Sequence, residues 1–293
     1  MIFHLTTKEQ WEAALLEGEY RAASLLNEGF IHFSSYGQIF DVANAYYRSV
    51  ADPVLIAVDN TKIGGELKWE GESGAEFPHL YRSLNVSEAI AVIPFRRNES
   101  EVYVTDGHLR SLAGAVYLES DRLILREFYY GDFSSVHEYA KDAELTRFMP
   151  WGPNSDEETR SFLSRKFKEQ CAVPRTVYDL AVVEKQSQRL IGSVGLFVRD
   201  RKAASAHIGY ILNGNFHGKG YASEMSQAIL RFGFEALGLN RIEATCDHDN
   251  AASFRVMQKI GMQKEGLLRE NLFAKGKRRS TIVCAVLKSE FKS

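Results

Sequence analysis

The segment Asn215-Phe216-His217-Gly218-Lys219-Gly220-Tyr221-Ala222-Ser223-Glu224 joins a run of strand character, Ala206 to Leu212, to a run of helical character, Tyr221 to Leu237. A strand that turns through glycines into a helix leaves the first N–H groups of that helix without intrahelical partners. The glycines let a ligand approach the backbone with no Cβ in the way. With the positive end of the helix dipole behind them, these donors suit a pyrophosphate, and Lys219 can add a charge. The rest of the chain is read around this loop.

At 293 residues the chain is long for one core, which predicts two domains. Formal net charge is -2 with both signs interspersed, so nothing points to nucleic acid or an anionic membrane surface, and a small molecule or protein is the expected partner. Cys171, Cys246 and Cys284 are widely spaced and lack a C-x-x-C pattern, so they read as reduced core residues rather than metal ligands. The N-terminus reaches polar residues too soon for a secretory segment, and no apolar run is long enough to cross a bilayer. These features place the chain in the cytoplasm and leave its oligomeric state open.

Residues 1–104 read as a small α+β domain. Strand character at Ile2 to Leu5 leads into a helix capped by Thr6 with Glu9 and ended by Gly18; Phe30 to Ser34 is a buried strand, followed by a helix from about Gln38 to Tyr47. Further strands lie at Val54 to Val58, Leu67 to Glu70, Phe77 to Tyr81 and Ala89 to Pro94. His4, His32 and His79 fall on or beside strands, with Ser34 nearby. His4, the stretch Gly29-Phe30-Ile31-His32-Phe33-Ser34-Ser35, Trp69-Glu70 and Phe77-Pro78-His79-Leu80-Tyr81 resemble a family of bacterial and plant domains that carries no assigned function. Its fold is similar to that of ADP-ribosyltransferases. The resemblance implies a cleft able to hold NAD or an ADP-ribose-like ligand, with His4 and His32 at its edge and Ser34 and His79 as further candidates.

Residues 105–115 are small and without clear periodicity, and read as a short linker between domains in contact. From 116 to 293 the pattern is an opening strand given by Val116 to Glu119 and Leu123 to Arg126, a helix behind Asp132, a second helix started by Ser155 with Glu158, and a hairpin of Tyr178 to Glu184 with Leu190 to Arg199. The strand and loop described above follow, then a strand at Arg241 to Cys246, a helix from Asn250 to Ile260, and two closing strands. A mixed, mostly antiparallel sheet flanked by helices is expected.

Ile208-Gly209-Tyr210, His217-Gly218-Lys219-Gly220-Tyr221-Ala222-Ser223-Glu224, Leu239 to Ile242, Asn250 to Val256, Lys259 to Met262 and Glu265 to Arg269 stand in the order and near the spacing of GNAT acetyltransferases of the RimJ/RimL type. The resemblance implies acetyl-CoA as acetyl donor and a primary amine as acceptor, on a small molecule or at a protein N-terminus. It implies that Asn215, His217, Gly218, Lys219, Gly220, Tyr221 and Ala222 hold the pyrophosphate. It implies further that a main-chain N–H at Ile211 or Leu212 serves the acetyl carbonyl, that the Asn250 amide contacts the CoA arm, and that the Ser253 hydroxyl lies near its sulfur. Asn250 is also a good helix N-cap.

Direct transfer needs a neutral amine, a donor to the carbonyl oxygen and a way to stabilise the leaving thiolate. Where relatives often carry a glutamate base this chain has His207, which can do that work near neutral pH or can be structural. Glu243 and Glu224 are alternatives. Where relatives carry a tyrosine acid this chain has Cys284. The loop Phe148 to Asn154 is expected to border the acceptor, with Trp151 as lid or packing. Two other readings stay open: a non-catalytic sensor that binds acetyl-CoA and a nucleotide, and a bifunctional protein with NAD-related chemistry in its first half.

Overall fold

The computed structural model describes residues 1–72, 74–104 and 107–292. Thr105 and Asp106, which open the predicted linker, and Ser73, in a predicted loop, lie outside the described residues. Packing divides the chain into two units: unit 1 is Met1–Ala115, Phe128–Gly131 and Arg160–Arg175, and unit 2 is Val116–Glu127, Asp132–Thr159 and Thr176–Ser293.

Unit 1 contains β1 (Ile2–Thr7), α1 (Lys8–Glu17), β2 (Glu19–Tyr20), α2 (Ala23–Asn27), β3 (Ile31–His32), α3 (Tyr36–Tyr46), β4 (Pro53–Val58), β5 (Leu67–Glu70), β6 (Phe77–Leu80), β7 (Leu84–Asn85), β8 (Ala89–Pro94) and α4 (Gly107–Ala113). The strands form antiparallel sheets of order β1-β4-β8 and β3-β6-β5, with a separate β2-β7 pair. Alternation along β4 feeds two cores: Val54, Ile56 and Val58 pack with Trp11, Tyr20 and Ile31, while Leu55 and Ala57 pack with Ile39, Phe40 and Phe95. A strand buried on both faces needs an apolar run, and Val54 to Val58 supplies it.

Several local expectations shift. Strand β1 pairs as far as Thr7 with Pro53, so Thr7 caps α1 and Gln10 completes the box, displacing Thr6 and Glu9 by one residue. Gly18 ends the helix in a left-handed conformation, φ 84°. The predicted strand at Phe30 to Ser34 pairs as β3 only at Ile31–His32. A helix, α4, occupies most of the predicted linker, held by buried Leu109. Two segments of the sequence's second half also belong to unit 1. Gln170 Nε2 donates to Phe128 C=O (3.1 Å), and its Oε1 accepts Gly37 N–H (3.1 Å); Asn60 Nδ2 donates to Cys171 C=O (3.1 Å).

Unit 2 contains β9 (Tyr117–Glu119), β10 (Leu123–Arg126) and α5 (Phe133–Ala140). The next helix, α6 (Asp156–Gln170), has its first turn in unit 2 and the remainder in unit 1. Then come β11 (Val177–Glu184), β12 (Leu190–Asp200), β13 (Ser205–Leu212), α7 (Tyr221–Arg231), β14 (Arg241–Asp247), α8 (Ala251–Lys259), β15 (Gln263–Ala274) and β16 (Lys277–Leu287). Ser155 and Glu158 make the expected capping box of α6. The helix predicted to reach Leu237 is α-helical only to Arg231 and continues as a π turn, Phe232–Ala236. There Gly233 packs so closely on Leu196 and Ile242 that a Cβ would meet both within 2.8 Å.

One eight-stranded sheet has the order β15-β16-β14-β13-β12-β11-β10-β9. Every neighbouring pair is antiparallel except β13 with β14. Met225, Ile229 and Leu230 of α7 and Met257 of α8 share a buried core with Ala206, Ile208, Ile242 and Ala244, which fixes both helices on one face of the sheet. Full burial of each such side chain stabilises the unit by about 1.5–3 kcal/mol, so the sheet that carries the loop is rigidly supported.

Candidate functional site

Strand β13 pairs with β12 along its length, from Ala206 opposite Val198 to Leu212 opposite Gly192, but with β14 only from Ser205 opposite Arg241 to Ile208 opposite Ala244. Beyond that point the parallel strands part. Asn213 N–H donates to Ile191 C=O (2.8 Å), so alternation turns Ile211 toward β12 and turns Tyr210 and Leu212 toward the opening. Of the two expected main-chain donors, Ile211 is therefore committed to the ladder and only Leu212 faces the opening. The Leu212 carbonyl accepts a hydrogen bond from His217 Nε2 (2.9 Å). His217 thus fastens the loop to the strand.

The loop then reaches α7 with Gly218 at φ 77° and Gly220 at φ 84°, both left-handed, and a Cβ on Gly218 would meet nothing within 4 Å. Gly220 stands at the N-cap with no side chain to cap, and the first helical bond runs from Glu224 N–H to Gly220 C=O (3.1 Å). The N–H groups of Tyr221, Ala222 and Ser223 precede it and point out of the helix start. Asn215 is different: its N–H is used by Asn213 Oδ1 (3.1 Å), so it shapes the turn instead of offering a donor. Tyr221 spends its hydroxyl on Glu184.

A residue with no signal in the motif, Arg122, completes the loop. Its guanidinium donates to Lys219 C=O (2.9 Å), pairs with Glu224 (2.6 Å) and covers the Tyr221 ring at 4.5 Å. Glu224 also accepts from Ser120 (2.7 Å). Burial raises the Glu224 pKa, but hydrogen bonds from Arg122 and Ser120 outweigh it and hold the carboxyl below its usual range. Glu224 is thereby an anchor rather than an acid. The Lys219 ammonium lies 5.0 Å from the Phe216 ring centre on the exposed side of the loop.

Asn250 caps α8 by accepting Ser253 N–H (3.1 Å). The Ser253 hydroxyl lies 2.9 Å from the Tyr210 hydroxyl, which also donates to Ser253 C=O (3.1 Å). Tyr210 sits on β13 past the point of parting, while Ser253 is carried by the helix that follows β14. The pair therefore spans the opening. Burial pushes the Tyr210 pKa far above its usual value, so its O–H stays a donor. Cys284, where a tyrosine acid was absent from the sequence, is fully buried, and burial raises its thiol pKa. Tyr210 stood in the Ile-Gly-Tyr motif, and strand alternation with Ile208 and Leu212 was the signal that would have singled it out.

On the opposite face His207 stands directly across from Glu243, Nδ1 to Oε1 3.9 Å. That nitrogen is buried without a hydrogen-bond partner. Burial and Arg199 lower the histidine's pKa, partly offset by Glu243, so the ring is neutral near pH 7 with a lone pair to offer. Glu243 is engaged by Arg241 (3.3 Å), which in turn grips Glu265 (2.7 Å). Between His207 and Ile211 on this face, a Cβ on Gly209 would meet nothing within 4 Å, which leaves room beside the imidazole. The loop bearing Trp151, which is 39% exposed, is reached from β16: Arg279 pairs with Asp247 (2.6 Å) and donates to Arg147 C=O (2.9 Å).

In unit 1, His4, His32 and Ser34 line one cleft, and His79 does not. His79 stacks on Phe30 (4.1 Å), and burial lowers its pKa. His32 is exposed beside Glu28 (3.2 Å) and engages His4 through its carbonyl. Among the described residues no group of three or more His, Cys, Asp or Glu could hold a metal ion, and no helix is long and apolar enough to cross a membrane.

Residues 122–263 match the acetyltransferase (GNAT) domain family, and residues 5–92 match a family described as protein of unknown function (DUF952). The chain is 34% identical over 155 residues to the uncharacterized N-acetyltransferase YnaD of Bacillus subtilis, covering 53% of this chain and 87% of that one. A GNAT-family acetyltransferase from Bacillus anthracis superposes with a TM-score of 0.54 at 30% identity, covering 60% of this chain and all of the other. The ribosomal-protein-S5-alanine acetyltransferase of Vibrio fischeri has the same fold, with a TM-score of 0.54 at 21% identity over 61% of this chain and all of its own.

Proposed function

This chain belongs to the GNAT acetyltransferases, a family that uses acetyl-CoA, and from that premise we propose that unit 2 passes an acetyl group directly from acetyl-CoA to a primary amine. The observation that carries the reading is the parting of β13 from β14 beyond Ile208, which leads straight into the uncapped start of α7. An anionic diphosphate fits that start, because Gly218 leaves the backbone open, the Arg122 guanidinium stands 3.4 Å from where a Cβ of Gly220 would lie, and no side chain hydrogen-bonds the cap.

In this reading the N–H groups of Tyr221 and Ala222, with Lys219, take the pyrophosphate. Leu212 N–H is aimed at the acetyl oxygen and stabilises charge as it builds there. The acceptor enters beside Gly209, where His207 takes the proton released when the amine nitrogen bonds to the carbonyl carbon. The carbon–sulfur bond breaks toward Ser253, whose hydroxyl donates to the departing thiolate. Tyr210 holds that hydroxyl by turning its single proton from the Ser253 carbonyl to the Ser253 hydroxyl oxygen. Full proton transfer from either hydroxyl is uphill, because a tyrosine pKa near 10 already exceeds that of a thiol near 8.5 and burial raises it further. Hydrogen bonding is therefore the stronger candidate.

We take the acceptor to be a protein N-terminal α-amino group, a reading supported by the RimJ/RimL-type motifs and by the ribosomal-protein acetyltransferase among structures of this fold. We place the functional boundary within residues 105–115, and the buried thiols of Cys171, Cys246 and Cys284, none of them in a disulfide, support a cytoplasmic setting. For unit 1 the ADP-ribosyltransferase-like fold remains our reading, supported by its two separate three-stranded antiparallel sheets. The test is acetylation of peptides with a free α-amino group against Nα-blocked lysine peptides and spermine. Preferential acetylation of free N-termini is expected; turnover of spermine alone would redirect the proposal, and no turnover of any amine would favour a sensor.

A further inference from the structure

The eight-stranded sheet of unit 2 ends at β15, and no strand among the described residues covers its outer side. Every residue of β15 but Gly266 and Ala274 is exposed. Among them are Leu267 (40% exposed), Leu268 (49%), Leu272 (38%) and Phe273 (71%). Large apolar side chains gathered on one open edge mark a contact surface, and a bare edge strand is a template for another chain. No residue of β15 takes part in the proposed acetyl transfer.

The register tells which main-chain groups are open. Lys288 N–H donates to Asn240 C=O (2.8 Å) and His248 N–H to Ser280 C=O (2.9 Å), so even-numbered residues of β16 bond to β14. Its odd-numbered residues bond to β15, Val283 opposite Gly266 and Thr281 opposite Leu268. Leu267, opposite Ile282, therefore turns its own N–H and C=O out to the open edge. The register shifts between Lys264 and Gly266 and again between Leu268 and Leu272, so bulges bound this short straight run.

The run is complementary to itself. In an antiparallel pair with a two-fold axis at Leu267, the two Leu267 residues exchange both main-chain bonds. Leu268 of one copy then lies across from Gly266 of the other, where a Cβ would meet nothing within 4 Å, so side chain and space match. The flanking bulges face one another and bring Lys264 and Glu265 of one copy opposite Arg269 and Glu270 of the other. Glu265 is already held by Arg241 (2.7 Å), whereas Lys264 and Glu270 make no ion pair among the described residues. A parallel pairing would instead set lysine against lysine and glutamate against glutamate, which is destabilising. We infer that β15 is the docking edge for a second copy of this chain, which extends the sheet of unit 2 antiparallel across a two-fold axis.

Sedimentation velocity of the full chain across the micromolar range tests this by charge exchange. The wild type is expected to form a dimer, and Lys264→Glu and Glu270→Lys are each expected to weaken it about tenfold by setting like charges opposite each other twice. The double variant K264E/E270K restores opposite charges across the axis and should recover the dimer. Leu268→Asp, exposed in the single chain, is expected to give a monomer with the circular dichroism of the wild type. A monomeric wild type, a dimer that L268D leaves intact, single charge variants that dimerise as the wild type does, or a double variant no tighter than its parents would each overturn the inference.

Discussion

The two units use one backbone device for two kinds of opening. In unit 2, β13 parts from β14 beyond Ile208 and leaves Leu212 N–H facing a gap; in unit 1, β1 parts from its neighbour beyond the Phe3–Ser34 bridge and leaves Leu5 N–H facing a cleft. Each opening stands near a histidine whose pKa burial depresses, the half-buried His207 and the buried His4. The difference is charge. Unit 2 adds an uncapped helix start and the exposed Lys219, whereas among the described residues no lysine, arginine, aspartate or glutamate lines the unit 1 cleft. A parted strand pair supplies main-chain donors, and what surrounds it decides whether they suit an anion.

If the histidines are alike only in burial, their replacement must have different consequences. His207→Ala is expected to lower kcat/KM by about 10²-fold or more, the scale of a general base. The wild-type rate falls as pH drops through the lowered His207 pKa, below 6.5, because the imidazole must be neutral to accept a proton. In pH–rate profiles at saturating acetyl-CoA the variant should lose that acid limb. Retention of both rate and limb would move the base elsewhere and end the parallel.

His4 should instead register in stability. Its pKa falls from 6.5 to about 4 on folding, so the unfolded chain binds a proton first as pH falls. The contribution is present above pH 6.5 and is lost as pH falls toward 4, by at most about 3 kcal/mol. Urea midpoints measured across that window should have a shallower slope in His4→Gln than in the wild type. Equal slopes would mean that His4 is hydrated in the folded chain.

The smallest effects should come from the hydroxyl pair. One hydrogen bond is worth about 1 kcal/mol, so Tyr210→Phe is expected to lower kcat about fivefold with acetyl-CoA affinity unchanged. Ser253→Ala should cost more, and the double variant no more than Ser253→Ala alone. Additive losses in steady-state kinetics would show that the two hydroxyls act independently.

The glycine loop, the Asn250 cap and the succession of strands and helices around them were legible because each depends on neighbours in sequence. Choosing Leu212 over Ile211 required the register with β12, and finding Tyr210 required knowing where α8 places Ser253. Arg122 lies 97 residues from the Lys219 carbonyl that it holds. The resemblance placed His4 and His32 at the edge of a cleft in unit 1, but the hydrogen bonds that shape it were hidden, since His4 meets Tyr20 across 16 residues and His32 across 28. The sharing of α6 between the units is likewise a matter of packing, with Gln170 answering Gly37.

The central claim rests on the uncapped start of α7, and calorimetric titration of acetyl-CoA into wild type, Gly218→Asn and Gly218→Asp tests it most directly. Gly218 is left-handed at φ 77°, a conformation that Asn and Asp tolerate better than other side chains, and a Cβ there meets nothing. The two variants therefore share whatever strain exists and differ in charge. Saturable binding to the wild type, kept within a few-fold in G218N and weakened about 100-fold or more in G218D, is the predicted result. Equal binding to all three, or no binding to the folded wild type, would contradict the account.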